Sequence, residues 1–316
     1  MVDRKIPVGI SSCLLGENVR YNGGHTQSRF CLNHLSQVFE FDSYCPEVAI
    51  GLGIPREPIR MIGPLDSPRV VGTVTVENDV TDALFEYGKK IGRNSSHLSG
   101  YILMKNSPSC GYKSTKIYNG KMGFPGKYAG MFTRGLMEEN ALLPVEEDGR
   151  LNDAVLRENF IARVYAYDDW KHSVGDAPSA KKLVDFHSRY KYMVMAYGQQ
   201  PYKELGQLVA KAGVGDIGVV ASEYVVAFMK ALQKPASRNA HTNTLAHLLG
   251  YLRDEVDGKA RQAIAEEIEN YRLEKVNLSV PVALLKHYLN LYGSEYIKSQ
   301  AYLQPHSYDL GLRNMI

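Results

Sequence analysis

The chain has 316 residues, 44% apolar and 22% charged, with a formal net charge of +3. Its length suggests two domains, and its composition is that of a soluble globular protein with material for a real core. No apolar run reaches the length of a membrane span, and Met-Val-Asp-Arg-Lys at the start has no signal-peptide pattern. The expectation is therefore a cytoplasmic chain with no membrane partner, in a compartment where thiols stay reduced.

In chain order, the first predicted element is a buried strand within Lys5-Ile-Pro-Val-Gly-Ile-Ser-Ser-Cys13, which breaks into a turn-rich loop, Leu14 to Gly24. That loop places Arg20, Tyr21 and Asn22 beside the first cysteine, a set suited to gripping a ligand ring and its polar edge. Residues 28–38 have helical spacing, and Cys31 within them reads as a small core residue. A second strand, Phe39-Glu-Phe-Asp-Ser-Tyr, then ends in Cys45-Pro-Glu47, so the three elements predict a right-handed crossover. Gly51 and Gly53 faintly suggest a dinucleotide turn, but Pro55 interrupts the helix that would hold a pyrophosphate.

Residues 78–91 predict a helix feeding a central strand at 100–104, which runs into Lys105-Asn-Ser-Pro-Ser-Cys110-Gly111. The glycine-rich stretch 118–131 looks too punctuated for regular structure and reads as a mobile basic lid; a helix at 132–140 and a short strand at 142–145 follow. Between Tyr87 and Met137 there is no Asp or Glu, yet nine Lys and Arg residues, among them Lys105, surround Cys110. A one-signed field of that kind implies an anionic partner, nucleic acid first among candidates.

Cys13, Cys45 and Cys110 each sit just past a predicted strand end. In an open α/β sheet ligand sites lie beyond the carboxyl ends of strands, so the three can converge although they are distant in sequence. Thiolates suit zinc or iron-sulfur, and three donors with a position left open point to chemistry rather than structure.

Beyond a polar loop at 168–179, taken as the domain connection, helical patterns cover 179–197, 202–211, 222–233, 238–251, 257–273 and 281–302. Lys182, Arg189 and Lys191 interleave with aromatics in the first of these, which fits phosphate contact plus base stacking, although Tyr and Met at helical spacing also fit a core. His187, His241, His247 and His287 are scattered singly and read as structural. The predicted architecture is an α/β N-terminal domain, Rossmann-like with a mostly parallel sheet, over 1–165, followed by an all-α C-terminal domain over 166–316.

Ser11-Ser-Cys-Leu-Leu-Gly with Val19-Arg-Tyr-Asn-Gly-Gly24, Cys45-Pro-Glu47 with Gly53-Ile-Pro-Arg56, and Lys105-Asn-Ser-Pro-Ser-Cys-Gly111 together resemble the thiouracil desulfurase family. The helical half looks like the YbgA-like domain fused to it in two-domain RNA uracil desulfidases. The resemblance implies a 4Fe-4S cluster held by Cys13, Cys45 and Cys110 with one iron open, and removal of sulfur from 4-thiouridine in tRNA to give uridine. It implies catalytic roles for Glu47 and Ser107. Among the expected substrate contacts, Arg20, Arg56 and Lys105 would receive phosphates, with Tyr21, Asn22 and Ser109 beside them. Asn22 departs from the family, which commonly carries Asp there. Competing expectations are desulfuration of free thiouracil derivatives and a non-enzymatic, metal-bearing RNA-binding or redox-sensing protein.

Overall fold

The computed structural model describes residues 4–119, 122–175, 177–307 and 310–316, with the backbone alone for 125–127. The chain divides into two units, one ending at Asn152 and one beginning at Asp153.

In the first unit the apolar runs read from sequence become strands: β1 (Ile6–Ser11), then α1 (Arg29–Asn33) capped by Ser28, β2 (Phe39–Tyr44) and the one-turn α2 (Pro46–Ala49). Two strands not foreseen follow, β3 (Ile59–Ile62) and β4 (Arg69–Gly72), before α3 (Thr81–Asn94) and β5 (Tyr101–Leu103). Next come β6 (Thr115–Asn119), β7 (Met122–Tyr128), α4 (Met131–Glu139) and β8 (Val145–Glu147). One sheet has the order β2-β1-β5-β8 with every neighbouring pair parallel, the architecture expected of crossover units. The second has the order β4-β3-β6-β7 and is mixed.

The glycine-rich stretch is thus not a lid. It forms a hairpin at the edge of the second sheet, where Pro125 is tolerated because an edge strand need not donate from every residue. Gly120, Lys121 and the Lys127 side chain, part of the expected lid, lie outside what is described. Helices α3 and α4 approach so closely that a Cβ on Gly88 would sit 2.2 Å from the Phe132 carbonyl oxygen, and one on Gly135 2.1 Å from that of Phe85. Only glycine permits that contact, which packs α4 beneath the third cysteine.

The second unit is helical, with no strand among its described residues: α5 (Ala154–Ser173), α6 (Ala180–Tyr197), α7 (Gln199–Ala210), α8 (Ile217–Ala231), α9 (Arg238–Leu249), α10 (Gly258–Arg272), α11 (Ser279–Tyr292) and α12 (Glu295–Lys298). Side chains of Asp153, Ser179, Asp216, Ser237 and Asp257 cap five of these helices by accepting first-turn amides. Two expectations change here. Residues 168–173 belong to α5 rather than to a connecting loop, and the division falls at Asn152, ahead of residue 165. Helix α5 buries Glu158, Asn159, Arg163 and Asp168 along with its apolar residues, so it lacks the one-sided stripe by which helices are read. No described helix is long and apolar enough to cross a membrane.

Candidate functional site

The three cysteines occupy equivalent places in the parallel sheet. Cys13 lies in a short 3-10 turn directly after β1, Cys45 lies between the end of β2 and Pro46 of α2, and Cys110 closes the turn that follows β5. Because β2, β1 and β5 are adjacent and parallel, their carboxyl ends share one sheet edge, and all three thiols line a single cavity of about 330 Å³. Each turn is tied down. Ser107 Oγ accepts the amides of Ser109 (3.2 Å) and Cys110 (3.0 Å), Thr133 of α4 donates to the Cys110 carbonyl (2.9 Å), and Ser11 Oγ accepts Met104 N across the β1–β5 junction (3.0 Å).

Glu47 also lines the cavity. Its Oε2 accepts from the Cys45 thiol at 3.5 Å and lies 4.0 Å from Arg56 Nη2. Burial pushes the thiols up, to about 12 for Cys13 and about 11 for Cys45, with Cys110 well above its ordinary value. The next contribution at all three is the Glu47 carboxylate, which puts that one charge within electrostatic reach of every thiol. Ligation must therefore displace the thiol protons.

Among the described residues no group of three or more His, Cys, Asp or Glu side chains gathers around a point that could hold one metal ion. Three soft thiols that share one cavity wall are a donor set that fits an iron-sulfur cluster, where each thiolate takes a different iron. Cys31 is fully buried in α1 and is not part of the cavity wall.

Of the other expected site residues, catalytic Ser107 and the substrate contacts Arg20, Tyr21, Arg56 and Lys105 line the cavity; Asn22 and Ser109 do not. Asn22 accepts the Gly24 amide (3.1 Å), and Ser109 is wholly buried, with its Oγ lacking a hydrogen-bond partner. Arg56 is present in a different role: Nη1 donates to the carbonyls of Val19 (2.9 Å) and Gly53 (3.0 Å), so its guanidinium fastens the loop carrying Arg20 and Tyr21 rather than waiting for a phosphate. The basic field is smaller than the sequence suggests, because Lys89 pairs with Glu138 and Glu139, and Arg93 with Glu139, just beyond the acid-free stretch. In α6, Phe186, Tyr190 and Tyr192 are buried and Arg189 is paired with Asp169 at 3.0 Å, so that helix offers its aromatics to the core and not to bases.

Five polar lining residues were not among the expected site residues: Ser11, Ser12, Tyr44, Glu57 and Asn106. Ser11 and Tyr44 were legible by adjacency, each ending a strand beside a cysteine motif. Asn106 holds left-handed backbone (φ 58°), a conformation Asn tolerates better than most residues and one that gathers at functional sites. Glu57 carries no signal; its carboxylate accepts the amides of Val74 and Thr75.

Residues 8–148 match the model of the family described as 2-thiouracil desulfurase. The chain is 34% identical over 151 residues to the uncharacterized protein YbbK of Bacillus subtilis, covering 46% of this chain and 97% of that one. The chain belongs to the 2-thiouracil desulfurase family. This desulfurase-family chain also carries a second match, at residues 191–307, to a family described as a protein of unknown function (DUF1722). There it is 34% identical over 123 residues to the uncharacterized protein YbgA of Escherichia coli, spanning 39% of this chain and 73% of that protein. A solved structure of a [4Fe-4S]-dependent thiouracil desulfidase, TudS, is 29% identical, covers 50% of this chain and 100% of its own, and superposes with a TM-score of 0.39.

Proposed function

We propose that the protein removes sulfur from 4-thiouridine in tRNA by hydrolysis, giving uridine and hydrogen sulfide, with a 4Fe-4S cluster held by Cys13, Cys45 and Cys110. The observation that carries this reading is that the three thiols and Glu47 line one cavity at the carboxyl edge of a parallel sheet. When bound, the cluster would supply a soft electrophilic iron, which prefers a thiocarbonyl sulfur to a carbonyl oxygen and polarises the carbon–sulfur bond.

The chain's own residues do the rest. Glu47 takes a proton from the attacking water, so that a carbon–oxygen bond forms at C4, the carbon–sulfur bond breaks, and the sulfur leaves with the two protons of that water. Ser107 spends its oxygen lone pairs on two backbone amides, which leaves its hydroxyl proton to donate to the ring. Tyr21, 42% exposed at the cavity wall beside Arg20, offers a face for the base. Exposed Lys105 receives phosphate, and a base held within a folded RNA reaches this cavity by leaving its stack.

The test is anaerobic reconstitution followed by reaction with tRNA containing 4-thiouridine, nucleoside digestion and sulfide assay. Loss of 4-thiouridine with matching gains of uridine and sulfide is expected. Turnover of free thiouracil with none on tRNA would move the substrate to the free base. No turnover on either by protein with full iron and sulfide content would overturn the enzymatic reading.

A further inference from the structure

The helical unit has a cavity of its own, about 290 Å³, at the small end of ligand pockets. Its wall includes Glu158 of α5, Arg238 and His241 of α9, and Tyr271 of α10, with Val155 and Met315 among its apolar members. Three features distinguish it from a packing gap.

The first is a buried ionised carboxylate. Arg313 Nε donates to Glu158 Oε1 (3.0 Å) and His306 Nε2 lies 3.7 Å from the same oxygen. Among the described residues Oε2 accepts no hydrogen bond, so a charged acceptor on a 5%-exposed residue is left for whatever fills the cavity. Burial alone would raise Glu158, but His306 and then Arg313 outweigh it and hold the group down to about 2, so it is a carboxylate at any physiological pH.

The second is a platform. Arg238 Nη1 donates to the Tyr271 carbonyl (2.6 Å) with its guanidinium carbon 4.3 Å from the Tyr271 ring centroid. The guanidinium is thereby fixed against one aromatic face and can offer its other face for stacking. The third is that His241, whose Nδ1 is paired with Tyr302 OH at 3.0 Å, is kept neutral by burial and adds no second charge.

A ligand complementary to this wall is flat enough to stack on a guanidinium and carries adjacent N–H donors on one edge for a carboxylate. We propose that this cavity binds a guanine base, stacked on Arg238 with its N1–H and exocyclic amine donated to Glu158. Adenine offers the carboxylate one amine beside a ring acceptor, and uracil and cytosine place carbonyl oxygens there, so each would bring acceptor against acceptor. The inference is independent of the desulfuration reading, since every residue it uses lies in the second unit. The base could come from a free nucleotide or from an unpaired guanosine in RNA, which present the same edge.

The experiment is equilibrium dialysis of the full chain against guanosine, adenosine, cytidine and uridine, with GMP and short single-stranded oligoribonucleotides containing or lacking one guanosine as the arms that separate the two sources. Guanosine or its nucleotide, or the guanosine-containing oligomer, should bind saturably at one per chain and about tenfold or more tighter than its adenosine counterpart, the cost of acceptor facing acceptor. Ala236→Phe, which fills the cavity, should abolish binding with the thermal melt unchanged, and Arg238→Met should weaken it by about tenfold. Equal binding of guanosine and adenosine, no saturable binding to folded protein, or binding that survives both substitutions would overturn the proposal.

Discussion

The Cys45 thiol donates to Oε2 of Glu47 across 3.5 Å, so the proposed base is hydrogen-bonded to a proposed ligand two residues away. A thiolate has no proton to give. Ligation at Cys45 would turn this contact into a meeting of like charges, and the carboxylate is then expected to turn toward Arg56, 4.0 Å away, and the open cavity, where water can reach it. Glu47→Gln should therefore keep the iron content and lower turnover by roughly 100-fold or more, the scale of general-base catalysis. Parallel loss of iron and activity would make Glu47 a structural residue.

Iron uptake should release protons. With Cys13 at about 12, Cys45 at about 11 and Cys110 well above its ordinary value, all three are thiols at neutral pH, and each must lose its proton to ligate. The sign follows directly: protons compete with iron, so affinity rises with pH. A weakly buffered anaerobic titration should release about one proton per ligating cysteine. Replacing any of the three with Ala should abolish iron binding, whereas Cys31→Ala, outside the cavity, should leave it unchanged.

Arg56 and Lys105 should separate two effects that the sequence assigned alike. Lys105 is exposed at the cavity rim, so Lys105→Met should reduce the slope of log affinity for RNA against log salt by about 0.7 to 0.9, the share of one phosphate contact. Arg56→Met should leave that slope alone and lower turnover, because its guanidinium is committed to Val19, Gly53 and Glu47. A reduced salt slope in Arg56→Met would return Arg56 to the phosphate-binding role.

The contrast shows what could be read from sequence. The strands of the parallel sheet, the cavity-facing cysteines and most helices of the second unit were legible because buried strands are short apolar runs and solvent-facing helices carry stripes. The second sheet was not, since β6 and β7 mix lysine, glycine and proline in an edge hairpin. Helix α5 was not, because it buries charged residues that sequence reading assigns to solvent. The partners of Arg56 were hidden for a related reason: composition shows a cation but not the carbonyls to which it donates.

Acid should weaken the helical unit in two steps, and Trp170, the single tryptophan, is buried there and can follow both. Burial lowers His187 and His241 from 6.5 to about 4. Between those values the unfolded chain binds protons that the folded chain refuses, so stability falls as pH drops from about 6.5 to about 4. For His241, which is almost wholly buried, the loss is on the order of 3 kcal/mol. Glu158 works over a lower window: its stabilisation is complete above 4.5 and disappears as pH falls toward about 2. Urea unfolding monitored through Trp170 should therefore show the midpoint declining below pH 6.5, and His187→Gln should flatten the part of that decline lying between 6.5 and 4 while leaving the lower window in place. A midpoint constant from pH 7 to pH 4 would show that neither histidine stays neutral in the folded protein.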